Sequence, residues 1–263
     1  VSLPGVAEAG STGLAPLCVV GMHRSGSSLV TRMLAELGVD LGPQSSMFDP
    51  DPIDNPAGYF EQKQVVELDD QLLGALGGHA SEPPIIRLGW ELSDELKQPA
   101  RDARVLLATL FSREPWGFKD PRASLLLPFW RTVEPRLRVI ICVRNPLEVA
   151  QSMARRDDPY PLEHWLENWR RHTDAAFAGS ADTQRIVVLY EDLLEAPLQT
   201  ARLLAEFIFG VTLAAKEIER AAALPDPESR RTAVSDDELL ADDRVPDSIA
   251  REYFALRDRA RAT

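Results

Sequence analysis

The residues best able to do chemistry stand at the ends of short apolar runs. Leu17–Val20 leads into Gly21-Met-His-Arg-Ser-Gly-Ser-Ser28, with the spacing G-x-x-x-x-G-x-S. A glycine turn between a strand and a helix aims the backbone N–H groups of Ser25, Gly26, Ser27 and Ser28 at an anion, and the helix dipole adds to the attraction. A nucleoside-triphosphate loop would carry lysine where Ser27 stands. Here the cation comes earlier, as Arg24, so the loop suits a phosphate held in another geometry. Three further apolar runs end the same way. Trp116–Phe118 leads to Lys119-Asp-Pro-Arg122, Arg138–Val143 to Arg144-Asn-Pro146, and Ile186–Leu189 to Tyr190-Glu-Asp192. Ser152 lies eight residues beyond Arg144, on a helix that opens at Pro146, where it could share a phosphate with that arginine.

Placing four such ends in one layer requires a parallel sheet. Short apolar strands alternate with longer helical patterns, the signature of an α/β fold with a central parallel sheet flanked by helices. In such sheets, ligands sit beyond the carboxyl ends of the strands. Helices are expected at Ser28–Leu37, Glu61–Leu76, Ala100–Phe111, Pro146–Arg155, Leu162–Phe177, Pro197–Phe209 and Ser248–Ala260, with a helix or turn at Ser124–Val133. Ile186–Tyr190 is expected to be a strand. Gly38–Tyr59 reads as a long loop, and loops of that length usually have a task. Residues 1–16 read as a flexible N-terminal segment, and 17–263 as one domain. Pro225–Asp247 is acidic and weakly patterned, and is expected to form a lid or an ordered tail.

Composition narrows the function classes. The chain has 263 residues, 44% of them hydrophobic, with a formal net charge of −12. That is enough apolar material for a core, and the acidic balance argues against nucleic acid as a partner. No apolar run is long enough for a membrane span, and no signal peptide is evident. The two cysteines, Cys18 and Cys142, sit in apolar runs and read as core thiols, which suggests a cytoplasmic protein. Nothing resembles a metal-ligand cluster. Trp165, Trp169 and Phe177 follow helical spacing and read as core. His79, His164 and His172 are scattered and read as surface or core histidines. The acidic run Ser235–Asp243 reads as a solvated face.

Arg24-Ser-Gly-Ser-Ser28 followed by Val143-Arg-Asn-Pro-Leu-Glu-Val-Ala-Gln-Ser152 resembles the two donor-binding motifs of the sulfotransferase family, which uses 3′-phosphoadenosine 5′-phosphosulfate (PAPS) and releases adenosine 3′,5′-bisphosphate (PAP). Lys119-Asp-Pro-Arg122 and Leu189-Tyr-Glu-Asp-Leu193 resemble further elements of that family. Asn55-Pro-Ala-Gly-Tyr-Phe-Glu61 is similar to a segment of bacterial carbohydrate- and natural-product-type members. The resemblance spans roughly Leu17 to Leu194, more loosely to Arg231, and implies a P-loop-containing three-layer fold. It implies that Arg24, standing where the family usually has lysine, contacts the 5′-phosphate and the bridging oxygen. Ser25, Gly26, Ser27 and Ser28 would surround the 5′-phosphosulfate, and Arg144 and Ser152 the 3′-phosphate. Tyr190 would lie near the adenine. Arg230 and Arg231 would supply a late basic contact, although the glycine-containing motif usual there is missing.

Sulfuryl transfer asks for in-line alignment and stabilisation of the leaving oxygen, and it needs no metal. The acceptor hydroxyl also needs a base. The histidine common in cytosolic members is absent, which leaves Glu61 as first candidate and Asp120 as second; otherwise Glu61 is a helix N-terminal carboxylate. Lys119 would meet the sulfuryl oxygens, and His23 could touch donor or acceptor. The acceptor is expected to be a small molecule or carbohydrate. Two other readings stand beside this one: a P-loop kinase or nucleotidase, and a non-catalytic nucleotide-binding protein.

Overall fold

A computed structural model describes residues 13–52, 55–155, 160–211, 213–230 and 232–262. Most of the expected N-terminal segment, and Arg231, lie outside the described residues. Four strands form the sheet: β1 (Leu17–Val20), β2 (Gly117–Lys119), β3 (Arg138–Val143) and β4 (Arg185–Leu189). All pairs are parallel, in the order β2–β1–β3–β4. Val19 pairs with Lys119, Val20 with Ile141 and Val143 with Leu189, so the carboxyl ends come out on one edge. The four charged strand ends therefore do share a layer.

Alternation along the strands divides the core in two. Cys18, Val20, Val139 and Ile141 face one layer, where Trp130, Trp165 and Trp169 are buried. Leu17, Val19, Ile140 and Cys142 face the other, against Val30, Met33 and Leu34. Both cysteines are free and buried, and burial pushes both thiols up, Cys142 to about 12. The tryptophans at 165 and 169 are core, as their spacing indicates.

The second layer is covered by α1 (Ser27–Glu36), α8 (Pro197–Phe209) and α9 (Ala215–Ala222). The first is covered by α2 (Lys63–Ala75), α3 (Lys97–Leu110), α4 (Ala123–Val133), α5 (Pro146–Ala154) and α6 (Leu162–Gly179), with α11 (Asp247–Ala262) beyond. Most boundaries fall within one to three residues of the sequence reading. One correction is that Tyr190 is not in the last strand; it opens a short helix, α7 (Tyr190–Glu195).

The segment read as a long loop and the one read as a lid or ordered tail are both anchored at their described residues. In 38–59, Asp40 bridges to Trp116, its carboxylate accepts from the Ser112 and Gly42 N–H groups, and the buried Gln62 amide donates to the Leu41 carbonyl at 2.7 Å. Phe48 N–H donates to the Glu61 carbonyl at 3.1 Å, which fixes the chain entering α2. The acidic segment carries α10 (Asp236–Ala241), closed at its start by a Ser235–Glu238 capping box. Leu239 is fully buried and Asp236 pairs with Arg257, so the run is a capped helix with one face in the core.

Candidate active site

The loop after β1 is shaped by backbone conformations that few residues accept. Gly21 has φ 134°, and a Cβ there would lie 2.3 Å from the Cys142 carbonyl oxygen. Gly26 has φ 88°, and a Cβ would lie 2.6 Å from the Tyr190 ring. Arg24 is also left-handed, at φ 70°. Gly21 N–H is held by the Ser124 hydroxyl at 2.9 Å. α1 begins at Ser27 with no side-chain cap, which leaves its first N–H groups for a ligand. Gly26, Ser27 and Ser28 line the adjoining cleft of about 1280 Å³. Ser25 is buried, and its hydroxyl has no hydrogen-bond partner among the described residues.

The second motif meets this loop directly. Asn145 caps α5 by accepting from Leu147 N–H at 3.0 Å, and Pro146 occupies the first turn. Arg24 Nε donates to Ser152 Oγ at 3.0 Å, and Arg144 Nη1 donates to the Arg24 carbonyl at 3.1 Å. The Arg144 guanidinium lies 4.1 Å from the centroid of the Tyr190 ring. Trp169 fixes the same residue from behind, its indole N–H donating to the Arg144 carbonyl at 3.1 Å. Arg24, Arg144, Ser152 and Tyr190 all line the cleft. Arg230 reaches this corner through Glu148, to which its Nη2 donates. Arg32 and Arg155 also line the cleft, and the sequence reading missed them. Glu148 was missed too, although its i,i+4 spacing from Arg144 was a usable signal.

At the other end of the cleft, Lys119 Nζ contacts Glu61 Oε1 in a buried ion pair. Glu61 opens no helix, since α2 starts at Lys63; its place is set by the anchored loop before it. Asp120 differs from expectation. Its side chain is fully buried and turned from the cleft, with Oδ1 accepting from Arg122 N–H at 2.9 Å and Arg122 Nη1 at 3.1 Å. Close behind it lies the buried carboxylate of Asp69, which accepts from Trp130 Nε1 at 2.8 Å. Burial raises both carboxyls above the usual range; the nearby Asp120 raises Asp69 further, and Glu61 raises Asp120. Asp120 thus positions Arg122, whose guanidinium lines the cleft, and is not itself placed to touch an acceptor.

His23 lines the cleft. His172 lies beneath it, fully buried, its ring nitrogens 3.3 Å from the Pro121 carbonyl and 3.1 Å from that of Ala80. Burial lowers His172 to about 4. His164 contacts the Ser81 carbonyl, and His79 sits on the surface beside Glu82. Among the described residues, no group of three or more His, Cys, Asp or Glu side chains could hold a metal ion, and no helix is long and apolar enough to cross a membrane.

The uncapped start of α1 and Arg24, Arg32, Arg144 and Arg155 line one cleft at the carboxyl edge of the parallel sheet, an arrangement able to hold a polyanion. Residues 16–214 match the sulfotransferase family, and with more than half of its length matched the chain belongs to that family. Sulfotransferase STF9 from Mycobacterium avium superposes with a TM-score of 0.51 at 15% identity, over 92% of this chain and 75% of that one. STF1 from Mycobacterium tuberculosis H37Rv gives 0.49 at 18%, over 92% and 76%. The sulfotransferase domain of the Synechococcus PCC 7002 olefin synthase gives 0.48 at 18%, over 92% and 87%. The likeness to STF9 is one of fold. No curated protein matches the chain by sequence.

Proposed function

We propose that the protein transfers a sulfuryl group from PAPS to a hydroxyl of a small-molecule or carbohydrate acceptor, and that residues 17–263 form one domain built for this. The observation that carries the reading is the Arg24–Ser152 and Arg144–Arg24 contact set, which joins two motifs about 120 residues apart in sequence at one anion site. The uncapped start of α1 supports it, because Gly26, Ser27 and Ser28 line the same cleft.

In this reading, Ser25–Ser28 and Arg24 hold the 5′-phosphosulfate. Arg144 and Ser152 hold the 3′-phosphate, Tyr190 backs the nucleoside, and Arg230 acts from behind through Glu148. Glu61 takes the proton of the acceptor hydroxyl, with Lys119 orienting its carboxylate. The hydroxyl oxygen bonds to sulfur as the bond from sulfur to the 5′-phosphate oxygen breaks. The negative charge left on that phosphate falls on the loop N–H groups and Arg24. Arginine keeps its proton, so it stabilises charge without donating. The buried thiols fit a reducing, cytoplasmic setting.

Calorimetric titration with PAP and with ATP, each with and without Mg²⁺, tests the donor. Metal-independent binding of PAP with no comparable ATP binding is expected. A preference for Mg-ATP would overturn the reading.

A further inference from the structure

Glu148 lies on α5, one turn after Arg144, and its side chain is fully buried. A buried carboxylate is stable only when charged and polar donors surround it. Arg144 Nε donates to its Oε2 at 2.8 Å, and Arg230 Nη2 and the Val234 N–H, the latter at 3.0 Å, donate to its Oε1. One carboxylate thus holds two guanidinium groups from segments over 80 residues apart. It leaves the Nη1 side of Arg144 turned to the loop, where Nη1 donates to the Arg24 carbonyl.

The same carboxylate fastens a strap formed by residues 230 and 232–234 over the start of α5. The neighbouring contacts are peripheral to it: Arg144 Nη2 to the Thr232 carbonyl at 3.3 Å, Asn145 Nδ2 to the Val234 carbonyl at 3.4 Å, and Arg155 Nη2 to the Thr232 hydroxyl. Without Glu148, two like charges would face each other in a half-buried corner, and the Val234 N–H would lose its acceptor.

We propose that Glu148 is the positioning residue of the donor site. It fixes Arg144 and Arg230 in one arrangement and couples that arrangement to the seating of residues 230 and 232–234 over the start of α5. The assignment rests on the reading that Arg144 faces the 3′-phosphate, so its signature must follow that phosphate. A carboxylate that merely competed with the ligand for Arg144 would give the opposite sign.

The test compares PAP with adenosine 5′-monophosphate, which lacks the 3′-phosphate, on wild type, Glu148→Gln and Glu148→Asp, with hydrogen exchange read across 232–241. Glu148→Gln should weaken PAP by about 10- to 100-fold, the size of one or two charge-assisted contacts, and leave the monophosphate within about twofold. Exchange in the strap should rise, and Glu148→Asp should recover part of both effects. PAP binding unchanged or tightened in Glu148→Gln, or both nucleotides weakened equally, would overturn the proposal. Should Glu148→Gln fail to fold, Arg230→Gln keeps the carboxylate paired with Arg144; it should still raise strap exchange and weaken PAP selectively, and no change in either would count against the coupling. Failure of wild type to bind PAP would overturn the donor reading itself, while strap exchange in Glu148→Gln would still judge the clamp.

Discussion

The two ends of the cleft are built on different principles. The donor end is made of backbone and arginine: left-handed Arg24 and Gly26, the bare start of α1, and the Arg24, Arg144 and Arg230 guanidiniums around Ser152 and Glu148. Arginine does not lose its charge at any ordinary pH, and a backbone N–H has none to lose. The proposed acceptor end is made of buried ionisable side chains. Lys119 pairs with Glu61, the Asp69 and Asp120 carboxyls meet behind them, and His172 supports the Pro121 carbonyl. One end is suited to hold a constant, highly charged ligand. The other is suited to move a proton.

The sharpest way to separate the ends is Glu61→Gln. Loss of a positioned base should lower kcat by about 10²- to 10⁴-fold, with PAP affinity unchanged. A fall in PAP affinity of similar size would mean that Glu61 belongs to the donor end.

Acid should loosen the acceptor end first. The folded-state pKa of His172 is depressed, to about 4, so its contribution is present above the ordinary value of about 6.5 and is lost as pH falls through about 4. The unfolded chain binds that proton first, so stability drops over this window. Denaturation measured from pH 7 to 4 should show a slope that is reduced in His172→Gln; equal slopes would remove the histidine from the account.

Gly26→Ala tests the backbone side. The left-handed φ and the contact with Tyr190 should cost about 1–3 kcal/mol in thermal or denaturant unfolding and displace that ring from Arg144. A neutral substitution would show that the loop does not need its observed conformation. Ser25→Ala should be the mildest. Removing an unpaired buried hydroxyl should leave stability unchanged or raise it by up to about 1 kcal/mol, while PAP binding weakens by about tenfold. Unchanged PAP binding would show that the hydroxyl serves no ligand.

The same contrast governs what could be read from sequence. The donor end was legible because each part follows a strand, so apolar runs fixed the place of Arg24, Arg144 and Tyr190 in one layer. The acceptor end depends on long-range packing of 38–62 against Lys119, and nothing local shows that Asp120 turns inward to Arg122 and Asp69. α9 escaped because it is only eight residues long, although Ile218 and Ala221 set a buried face against charged neighbours. α10 carried a Ser-x-x-Glu cap, but its acidic face outweighed that signal. Glu148 escaped although its i,i+4 spacing from Arg144 was visible, because its other partners, Arg230 and Val234, are more than 80 residues away.

The central claim is that one cleft reads both phosphates of the donor. It is tested most directly by the ratio of PAP to adenosine 5′-monophosphate affinity in wild type and in Arg144→Ala. Wild type should prefer PAP by about 100-fold, and Arg144→Ala should bring the ratio to about tenfold or less with the monophosphate unaffected. Equal affinity for the two nucleotides in wild type, or a preference that survives Arg144→Ala, would contradict it.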